Sequence, residues 1–395
     1  MLLCNALLFA AVACAAKSTS TKNQYVTRNG SQLLLNGKPW TASGGNVYWL
    51  GIDQNVVPPA GQPYAPPASY PTQGRITEIM STLVTMGAHA FRSTTMGVSV
   101  GYPLSLEPEL GQWNDQAFDT IDWAVYQAGL HGLRLFAPLI DNYDYYHGGK
   151  FVFLRWFGID ISSSATPLSP LVMEFYNNQT IVDAFKTYIE HLLAHKNQYT
   201  NLTYAEDPTI FAYETGNELG GPVFGDMDVP PAWTDEICSY IKQLAPKKLC
   251  IDGTYGINKT HLTIDSVDIM SDHFYPPNIA KLNSDIALAG GANKAYIAGE
   301  YDWTGNVRSA APLQSWFGVT QNNTNVVAGD LFWSLFMHDV PNCSVYVDHD
   351  DGFTMHYGDP NNTAHNNTQI RTVRKHLFEL QGKQIGNSFP PVQCP

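Results

Sequence analysis

Short apolar runs alternate with amphipathic stretches through most of this sequence. The apolar runs are bounded by glycine, proline, asparagine or aspartate, which predicts strands. The stretches between them repeat apolar residues at helical spacing, as Phe185, Ile189 and Leu192 do. The predicted strands are Gly44–Tyr48, Ala88–Ser93, Leu133–Ile140, Thr209–Glu218, Lys248–Gly253, Asp268–Tyr275, Ala295–Glu300 and Val327–Leu335. The predicted helices include Arg75–Met86, Gln116–Ala128, Ile181–His195 and a closing helix over Thr368–Gln381.

A regular alternation of strand and helix indicates βα units and a parallel sheet. Eight such units predict an α/β fold, a single (β/α)8 TIM barrel, with an open doubly wound sheet as the alternative. No glycine-rich phosphate loop follows the first strand, which favours the barrel. Ahead of that strand, Asn29-Gly30 and Asn36-Gly37 predict the turns of a small hairpin, which we expect to plug one end of the barrel.

The first residues have the pattern of a secretory signal peptide. Leu2–Ala13 is apolar, and the small residues of Ala13–Ala16 supply a cleavage site. We therefore expect a signal peptide at 1–16 and one catalytic domain over 17–395. Eight N-x-S/T sequons agree with a secreted, extracellular glycoprotein. They begin at Asn29, Asn178, Asn201, Asn258, Asn322, Asn342, Asn361 and Asn366.

Two of the six cysteines, Cys4 and Cys14, lie in the predicted signal peptide. The remaining four allow three disulfide connectivities, of which we favour Cys238–Cys250 with Cys343–Cys394. No CxxC spacing occurs, so we expect no metal site and no cofactor.

The composition narrows the class of partner. Only 14% of the residues are charged and 12% are aromatic, which fits an extracellular protein that binds neutral, hydrophilic ligands. The formal net charge of −13 argues against nucleic acid and against an anionic membrane. We expect a monomer.

Polar side chains stand where the predicted barrel strands end, the usual place for catalytic groups in this fold. Glu218 ends the fourth strand and Glu300 the seventh, so the two carboxylates face each other across the barrel mouth. Glycoside cleavage needs two such groups, and we expect Glu218 to be the general acid/base and Glu300 the nucleophile. With the two carboxyl groups in a retaining arrangement, we expect Glu300 to titrate low and Glu218 high.

Several other side chains at the strand ends are expected to assist. Asn217 is placed to bind the sugar 2-hydroxyl, and Arg92 to keep the nucleophile ionised. His273 and Tyr275 lie two residues apart on a strand and so point to one face, where Tyr275 can donate to the nucleophile. Trp333 is expected to form a floor under the sugar ring.

These motifs resemble glycoside hydrolase family 5 of clan A. Gly216-Asn217-Glu218, within TIFAYETGNELG, resembles the acid/base strand of that family. His273-Phe274-Tyr275 resembles its His-x-Tyr pair, and Ala298-Gly299-Glu300 its nucleophile strand. Three further segments resemble the fungal β-mannan-degrading branch of the family: Gly45–Trp49, Leu135–Asn142 and Phe175–Asn178. The resemblance covers nearly the whole predicted mature chain. It implies a retaining β-glycosidase acting on β-mannan or manno-oligosaccharides, with the family roles carried by Arg92, Asn217, Glu218, His273, Tyr275, Glu300 and Trp333.

Two long segments predict how the substrate is attacked. One runs from Asp141 to about Ile181 after the third strand, and the other from Met337 to about Asn366 after the eighth. Insertions of that size at the catalytic face are usually functional, and they can close a cleft so that only a chain end enters. Residues of the first are expected to grip a terminal sugar: Tyr145, His147, Lys150, Arg155 and Trp156. We therefore expect an exo-acting β-1,4-mannosidase capable of transglycosylation. The alternatives are an endo-β-1,4-mannanase and another family 5 β-glycanase, such as a β-glucanase.

The sequence also allows other interpretations. Gly97-Val98-Ser99-Val100-Gly101 has the form of a serine-hydrolase elbow, but no helix start follows it. A non-catalytic sugar-binding barrel is disfavoured by the intact carboxylate pair. We expect Glu214 to be a structural buried carboxylate and Asp348–Asp351 to be a solvated loop rather than a cation site. The tyrosines of Tyr143–Tyr146 either form a sugar platform or pack the loop.

Overall fold

A computed structural model of the chain describes residues 25–56, 68–161, 169–221 and 228–395, so the predicted signal peptide lies outside it. The described chain begins with a small antiparallel sheet of β1 (Val26–Asn29), β2 (Gln32–Leu35) and β3 (Lys38–Pro39). Gly30 and Gly37 take positive φ angles of 60° and 73°, which a glycine adopts without strain and which form the two predicted turns.

Eight parallel strands then close into a barrel, in which each strand pairs with the next and the last with the first. This confirms the predicted (β/α)8 architecture, and the strands fall within or overlap the predicted runs. They are β4 (Gly44–Asn46), β5 (Ala90–Arg92), β6 (Arg134–Pro138), β7 (Ile210–Glu214), β8 (Leu249–Asp252), β9 (Ile269–Phe274), β10 (Ala295–Asp302) and β11 (Val327–Trp333).

The helices form an outer layer around the barrel. They are α1 (Gln73–Met86), α2 (Phe118–Leu130), α3 (Lys150–Trp156), α4 (Glu174–Asn177), α5 (Gln179–Ala194), α6 (Pro231–Leu244), α7 (Ile279–Gly291), α8 (Leu313–Asn322) and α9 (Ala364–Glu379). Their ends follow local chemistry. The Thr72 side chain accepts the Arg75 N–H at the start of α1, and Gly87 ends that helix in the left-handed conformation.

Two apolar cores hold the barrel together. The larger lies between the strands and the helices. The smaller fills the barrel interior, where Phe136 and Ile297 pack with Val26 and Leu33 of the N-terminal sheet. Because these sheet residues close the end of the barrel opposite the strand ends, the predicted plug is confirmed.

The predicted disulfides both form. Cys238 of α6 is bonded to Cys250 of β8, and Cys343 is bonded to Cys394 near the C-terminus. A short strand, β12 (Leu335–Phe336), follows the barrel, and the second long segment contains β13 (His338–Asp339), β14 (Asn342–Tyr346) and β15 (Met355–His356). Tyr145 of the first long segment and Asp351 of the second lie at the face where the barrel strands end, near Glu218, Glu300 and Trp333.

Candidate active site

The ends of five barrel strands bring the predicted site residues together. Arg92 ends β5, Glu218 follows β7, His273 lies in β9, Glu300 in β10, and Trp333 ends β11. The pairing of β10 with both neighbours is irregular between Ala298 and Tyr301, around the glutamate. Such an irregularity in a strand re-aims a side chain next to a site.

Glu300 is almost fully buried and both of its oxygens accept hydrogen bonds. Arg92 Nη1 donates to Oε1 at 2.7 Å, and the Tyr275 hydroxyl donates to Oε2 at 2.6 Å. Burial and the Glu300 carboxylate raise the pKa of Tyr275, so the phenol stays protonated and remains a donor. Gly299 precedes the glutamate because a Cβ there would come within 2.8 Å of a His273 ring nitrogen. The carboxylate is therefore held rigidly, with a cation beside it.

Arg92 lies beneath the pocket rather than on its surface. Its guanidinium donates to Glu214 at 2.8 Å, to Glu300 at 2.7 Å and to Asn217 Oδ1 at 2.8 Å. It is fully buried, so it binds other site residues and does not line the pocket. Glu214 is likewise buried, in keeping with the structural role expected for it.

Glu218 also has a partner for each oxygen. The Tyr143 hydroxyl donates to Oε2 at 2.6 Å, and His273 Nδ1 lies 2.6 Å from Oε1. The glutamate has a φ of 53°, in the left-handed region that a residue with a Cβ seldom adopts. Backbone strain of this kind is common at active sites, where surrounding contacts hold it in place.

The two glutamates are close enough for a retaining reaction. One carboxylate oxygen of each and a ring nitrogen of His273 all lie within 4.8 Å of one another. Carboxyl groups in retaining glycosidases are about 5–5.5 Å apart, whereas inverting pairs need about 6.5–9.5 Å to admit a water. The arrangement suits attack by one carboxylate while the other protonates the leaving oxygen.

In the site without sugar, the pKa shifts of Glu218 and Glu300 are opposite to those expected. Burial raises the pKa of Glu218, but the hydrogen bond and charge of His273, with smaller effects of Tyr143 and Arg92, leave it lowered. Burial also raises the pKa of Glu300, and His273 and Arg92 do not fully offset it. Burial lowers the pKa of His273, yet the two glutamates together leave it raised. The expectation that Glu300 titrates low and Glu218 high is therefore wrong for the site without sugar, because the imidazole between them acts most strongly on Glu218.

A pocket of about 410 Å³ opens above the glutamates. The predicted residues among its lining are Tyr145, His147, Asn217, Glu218, Tyr275, Glu300 and Trp333. A smaller pocket of about 200 Å³ adjoins it, shares Glu218, Tyr255 and Tyr275 with it, and includes His273 and Lys281 but not Glu300. The site thus contains Glu300 and Trp333 in the larger pocket and continues past Glu218 into the smaller one.

Three of the residues expected to grip a terminal sugar lie elsewhere. Trp156 ends α3 and packs edge-on against Phe153, with ring centroids 5.1 Å apart, outside the lining of the pocket. Arg155 pairs with Asp144 at the protein surface, at 2.6 Å. Lys150 is buried and does not line the pocket. These placements correct the expectation that all three contact a terminal sugar. Part of the segment folds into α3, and packing of the apolar face of α3 against the core places them outside the pocket.

The structure adds pocket residues that sequence reasoning missed. Tyr143 donates to Glu218, which settles the role of that member of the tyrosine cluster, and Tyr48 stacks on Trp333 with ring centroids 5.3 Å apart. Asp351 accepts the indole N–H of Trp333 at 2.6 Å, and His349 lies beside it in the lining. Asp348 and Asp350 are exposed, as expected of a solvated loop, whereas His349 and Asp351 of the same loop line the pocket. The acidic composition of this loop was the signal that the sequence offered, but the sequence did not show that the loop lies over the pocket.

The serine-hydrolase interpretation finds no support. Ser99 is buried, and its hydroxyl accepts the backbone N–H of Leu106 at 3.0 Å. A short 3₁₀ turn over Thr94–Met96 precedes it, so the strand and helix of a nucleophile elbow do not flank it.

Two clusters of potential metal ligands occur among the described residues. One is Glu218, His273 and Glu300 themselves. The other is Glu78, His338 and Cys394, whose sulfur is already in a disulfide. The absence of a metal requirement remains a prediction.

Comparison with known proteins agrees with the site. A family model described as "GH family 5 beta-mannosidase-like" matches residues 23–329. Mannan endo-1,4-beta-mannosidase 2 of Oryza sativa subsp. japonica is 30% identical over 267 residues, covering 67% of this chain and 55% of its own length. Mannan endo-1,4-beta-mannosidase 8 of the same plant is 30% identical over 251 residues, covering 62% of this chain and 61% of its own length. The chain thus spans little more than half the length of these curated relatives.

Solved structures share the fold. The endo-1,4-beta-mannanase of Rhizomucor miehei superposes with a TM-score of 0.68 at 24% identity, over 91% of this chain and 100% of that one. The glycoside hydrolase family 5 mannosidase of Rhizomucor miehei gives a TM-score of 0.67 at 17% identity, over 92% and 100%. Within the described residues, no helix combines the length and the apolar character needed to span a bilayer.

Proposed function

Because the chain belongs to the GH family 5 beta-mannosidase-like family, we propose that it is a retaining β-glycosidase that releases mannose from the ends of β-1,4-linked manno-oligosaccharides. The observation that carries the reaction class is the close pair of Glu218 and Glu300 at the strand ends, each with two fixed hydrogen-bond partners. The names of the curated relatives, which are mannan endo-1,4-beta-mannosidases, support the choice of β-mannan as the substrate.

The geometry assigns each carboxylate a step. Glu300 attacks the anomeric carbon while Glu218 gives its proton to the glycosidic oxygen, so the leaving sugar departs and a glycosyl ester forms. Glu218 then takes a proton from water, which attacks the same carbon and frees Glu300. Arg92 and Tyr275 keep Glu300 oriented throughout, since each donates to one of its oxygens. A sugar or alcohol in place of the water gives transglycosylation.

Attack at a chain end is supported by a wall of hydrogen-bonded loops beside Trp333. We call this the glycone wall and define it by five residues: Tyr48, Asn55, Tyr146, His349 and Asp351. Tyr146 donates to the Ile52 carbonyl at 2.8 Å, which joins the loop after β6 to the loop after β4. Asn55 contacts the Tyr48 hydroxyl at 2.7 Å and His349 Nδ1 at 3.0 Å, which joins the loop after β4 to the segment after β11.

The glycone wall lies on the side of the catalytic pair where the glycone, the terminal sugar attacked by Glu300, must bind. Glu218 protonates the leaving group, so the aglycone occupies the side of the smaller pocket, which adjoins Glu218. The terminal mannose then occupies the space over Trp333, bounded by the wall. A polymer that continued past this sugar would meet the wall. The observation favouring the other candidate, an endo-mannanase, is that the curated relatives carry that name.

Digestion of mannohexaose separates the two modes. Exo attack gives mannose with mannopentaose from the earliest time point, whereas mannobiose and mannotriose as first products would establish the endo alternative. Proton NMR of the first product is expected to show the β anomer, and an α anomer would exclude retention. Parallel assays on the glucose counterpart, cellohexaose, test the β-glucanase alternative.

We also propose that the protein is secreted and glycosylated. The two disulfides support an oxidising compartment. Several sequon asparagines are exposed: Asn29, Asn201, Asn322, Asn342 and Asn361. Expression in a eukaryotic host should give protein in the medium whose mass falls on treatment with an amide-cleaving glycosidase. Retention inside the cell without glycan would contradict this.

A further inference from the structure

A buried lysine lies behind the Glu218 turn and has no place in the mechanism above. Lys150 begins α3, is 2% exposed, and its ammonium donates to Asn142 Oδ1. The ring of Tyr176, from α4, lies 5.6 Å from Lys150 Nζ. Burial lowers the pKa of Lys150 to about 7, and the charge of Asp141 opposes that effect. Burying a charged group costs free energy unless hydrogen bonds or opposite charges compensate for the lost water.

Asn142, which receives that hydrogen bond, clasps the turn that presents Glu218. Its backbone N–H donates to the carbonyl of Asn217 at 3.1 Å, just before the glutamate. Its side-chain Nδ2 donates to the carbonyl of Gly220 at 3.1 Å, just after it. The turn needs such support because Glu218 has a φ of 53°.

The ammonium determines which way the Asn142 amide faces. The charged ammonium has only donors, so the amide oxygen faces Lys150, and the amide nitrogen then faces the Gly220 carbonyl. Without the ammonium, the oxygen would be left buried and unpaired, and the amide would be free to turn its oxygen towards Gly220.

We infer that Lys150 is a positioning residue for acid catalysis, which acts through Asn142 to hold Glu218 at the leaving-group oxygen. This inference rests on the proposed function of the site. Its signature is a loss that depends on the leaving group, because a misplaced general acid matters only where protonation is needed. A purely structural role would lower activity on all substrates alike.

The chain supplies a matched control. Lys248 is also 2% exposed, and burial also lowers its pKa to about 7. It donates to the carbonyls of Asp207 and Ile210, where β7 begins, at the opposite end of the strand that leads to Glu218. Lys248→Met therefore removes an equally buried ammonium without touching the Glu218 turn.

The experiment compares kcat/KM for dinitrophenyl β-mannoside, phenyl β-mannoside and mannobiose. Lys150→Met should lower the values for phenyl β-mannoside and mannobiose by about tenfold or more, and that for dinitrophenyl β-mannoside by less than about threefold. Asn142→Ala should give the same pattern and decides the matter if Lys150→Met does not fold. The double variant should lose no more than the more impaired single variant, because both act through one contact.

The outcomes are distinct. Equal losses on all three substrates, additive losses in the double variant, or the same leaving-group dependence in Lys248→Met would overturn the inference. A wild-type protein that cleaves none of the mannosides would instead refute the proposed function.

Discussion

His273 Nδ1 lies 2.6 Å from Glu218 Oε1, so the proposed general acid and an imidazole share one hydrogen bond. The same nitrogen lies 3.6 Å from a Glu300 oxygen. Since the pKa of Glu218 is lowered and that of His273 is raised, the proton of the pair resides on the imidazole in the free site. A bound sugar removes water from the pair, which favours its neutral form and moves the proton to Glu218.

The pH dependence of kcat/KM should therefore be bell-shaped. Its acid limb reports ionisation of Glu300, and burial raises the pKa of Glu300, so that limb lies above the ordinary glutamate value of about 4.3. Its alkaline limb reports loss of the proton shared by Glu218 and His273. The raised pKa of His273 places that limb above the ordinary histidine value of 6.5.

Replacing the histidine tests this assignment. His273→Ala removes the group that stores the proton, so the alkaline limb should move to lower pH, with kcat reduced on the order of tenfold. The measurement is kcat/KM for mannobiose across the pH range in both proteins. An alkaline limb that stays in place would show that another group controls it.

The two glutamates should fail in different ways. Glu218→Ala should reduce hydrolysis of mannobiose by about 10²–10⁴-fold and spare the first step on an activated aryl mannoside, which needs little protonation. Added azide should restore turnover of that aryl substrate by replacing water at the glycosyl ester. Glu300→Ala should abolish turnover of both substrates. Substantial residual hydrolysis of mannobiose by Glu300→Ala would show that the nucleophile lies elsewhere.

Most of the candidate site could be predicted, because the sequence of strands along the chain determines which residues meet at the end of the barrel. Strand ends converge in a parallel barrel, so Glu218, His273 and Glu300 could be brought together from their places in the strand series alone. The contact between Trp333 and Asp351 could not, because it depends on how the three short strands β12, β13 and β14 fold between them. The position of a segment after a strand can be read from sequence, but not the path it takes over the site.

The first long segment shows the same limit in another way. Its polar and aromatic residues suggested a grip on a sugar, yet helix formation over Lys150–Trp156 decides which of them reach the pocket. The titration order failed for a related reason. Residue identity gave the two carboxylates, whereas the proton's place depends on a 2.6 Å contact with an imidazole.

Arg92 should matter more for stability than any exposed cation. It donates to Glu214, Glu300 and Asn217 from a fully buried position. Arg92→Met removes the guanidinium that pairs with two buried carboxylates, Glu214 and Glu300, and should cost about 3–5 kcal/mol of unfolding free energy. The control is Arg155→Met, whose partner Asp144 is at the surface, and which should cost about 0–1 kcal/mol. Urea unfolding of both variants measures the difference, and equal costs would contradict the prediction.

Stability should fall with rising pH because of Asp285. Burial and the nearby Asp272 carboxylate raise its pKa from 3.8 to about 8. Since the folded pKa exceeds the unfolded one, the protonated carboxyl favours the fold, and that stability is complete below about pH 4 and lost as the pH rises through about 8. Asp285→Asn cannot ionise, so its melting temperature should exceed that of the wild type at alkaline pH and not at acidic pH.

A pKa difference of one corresponds to about 1.4 kcal/mol, so an effect of a few degrees is expected. Asp183→Asn, at an exposed position of α5, is the control and should follow the wild type at every pH. A constant difference between Asp285→Asn and wild type from acidic to alkaline pH would show that the carboxyl does not titrate in this range.

The glycone wall should decide the products. A 3.0 Å hydrogen bond between Asn55 and His349 joins the loop after β4 to the segment after β11. Neither residue makes a hydrogen bond to Glu218 or Glu300. Asn55→Gly with His349→Gly should open the space beyond the terminal mannose without removing a group that touches the reacting atoms. A longer chain can then lie through the site, so early digests of mannohexaose should contain mannobiose and mannotriose beside mannose. His131→Gly, in the turn after α2, is the control and should give the wild-type pattern. If the double variant releases only mannose, the wall does not limit the site, and if the wild type already releases mannobiose and mannotriose first, the exo proposal is wrong.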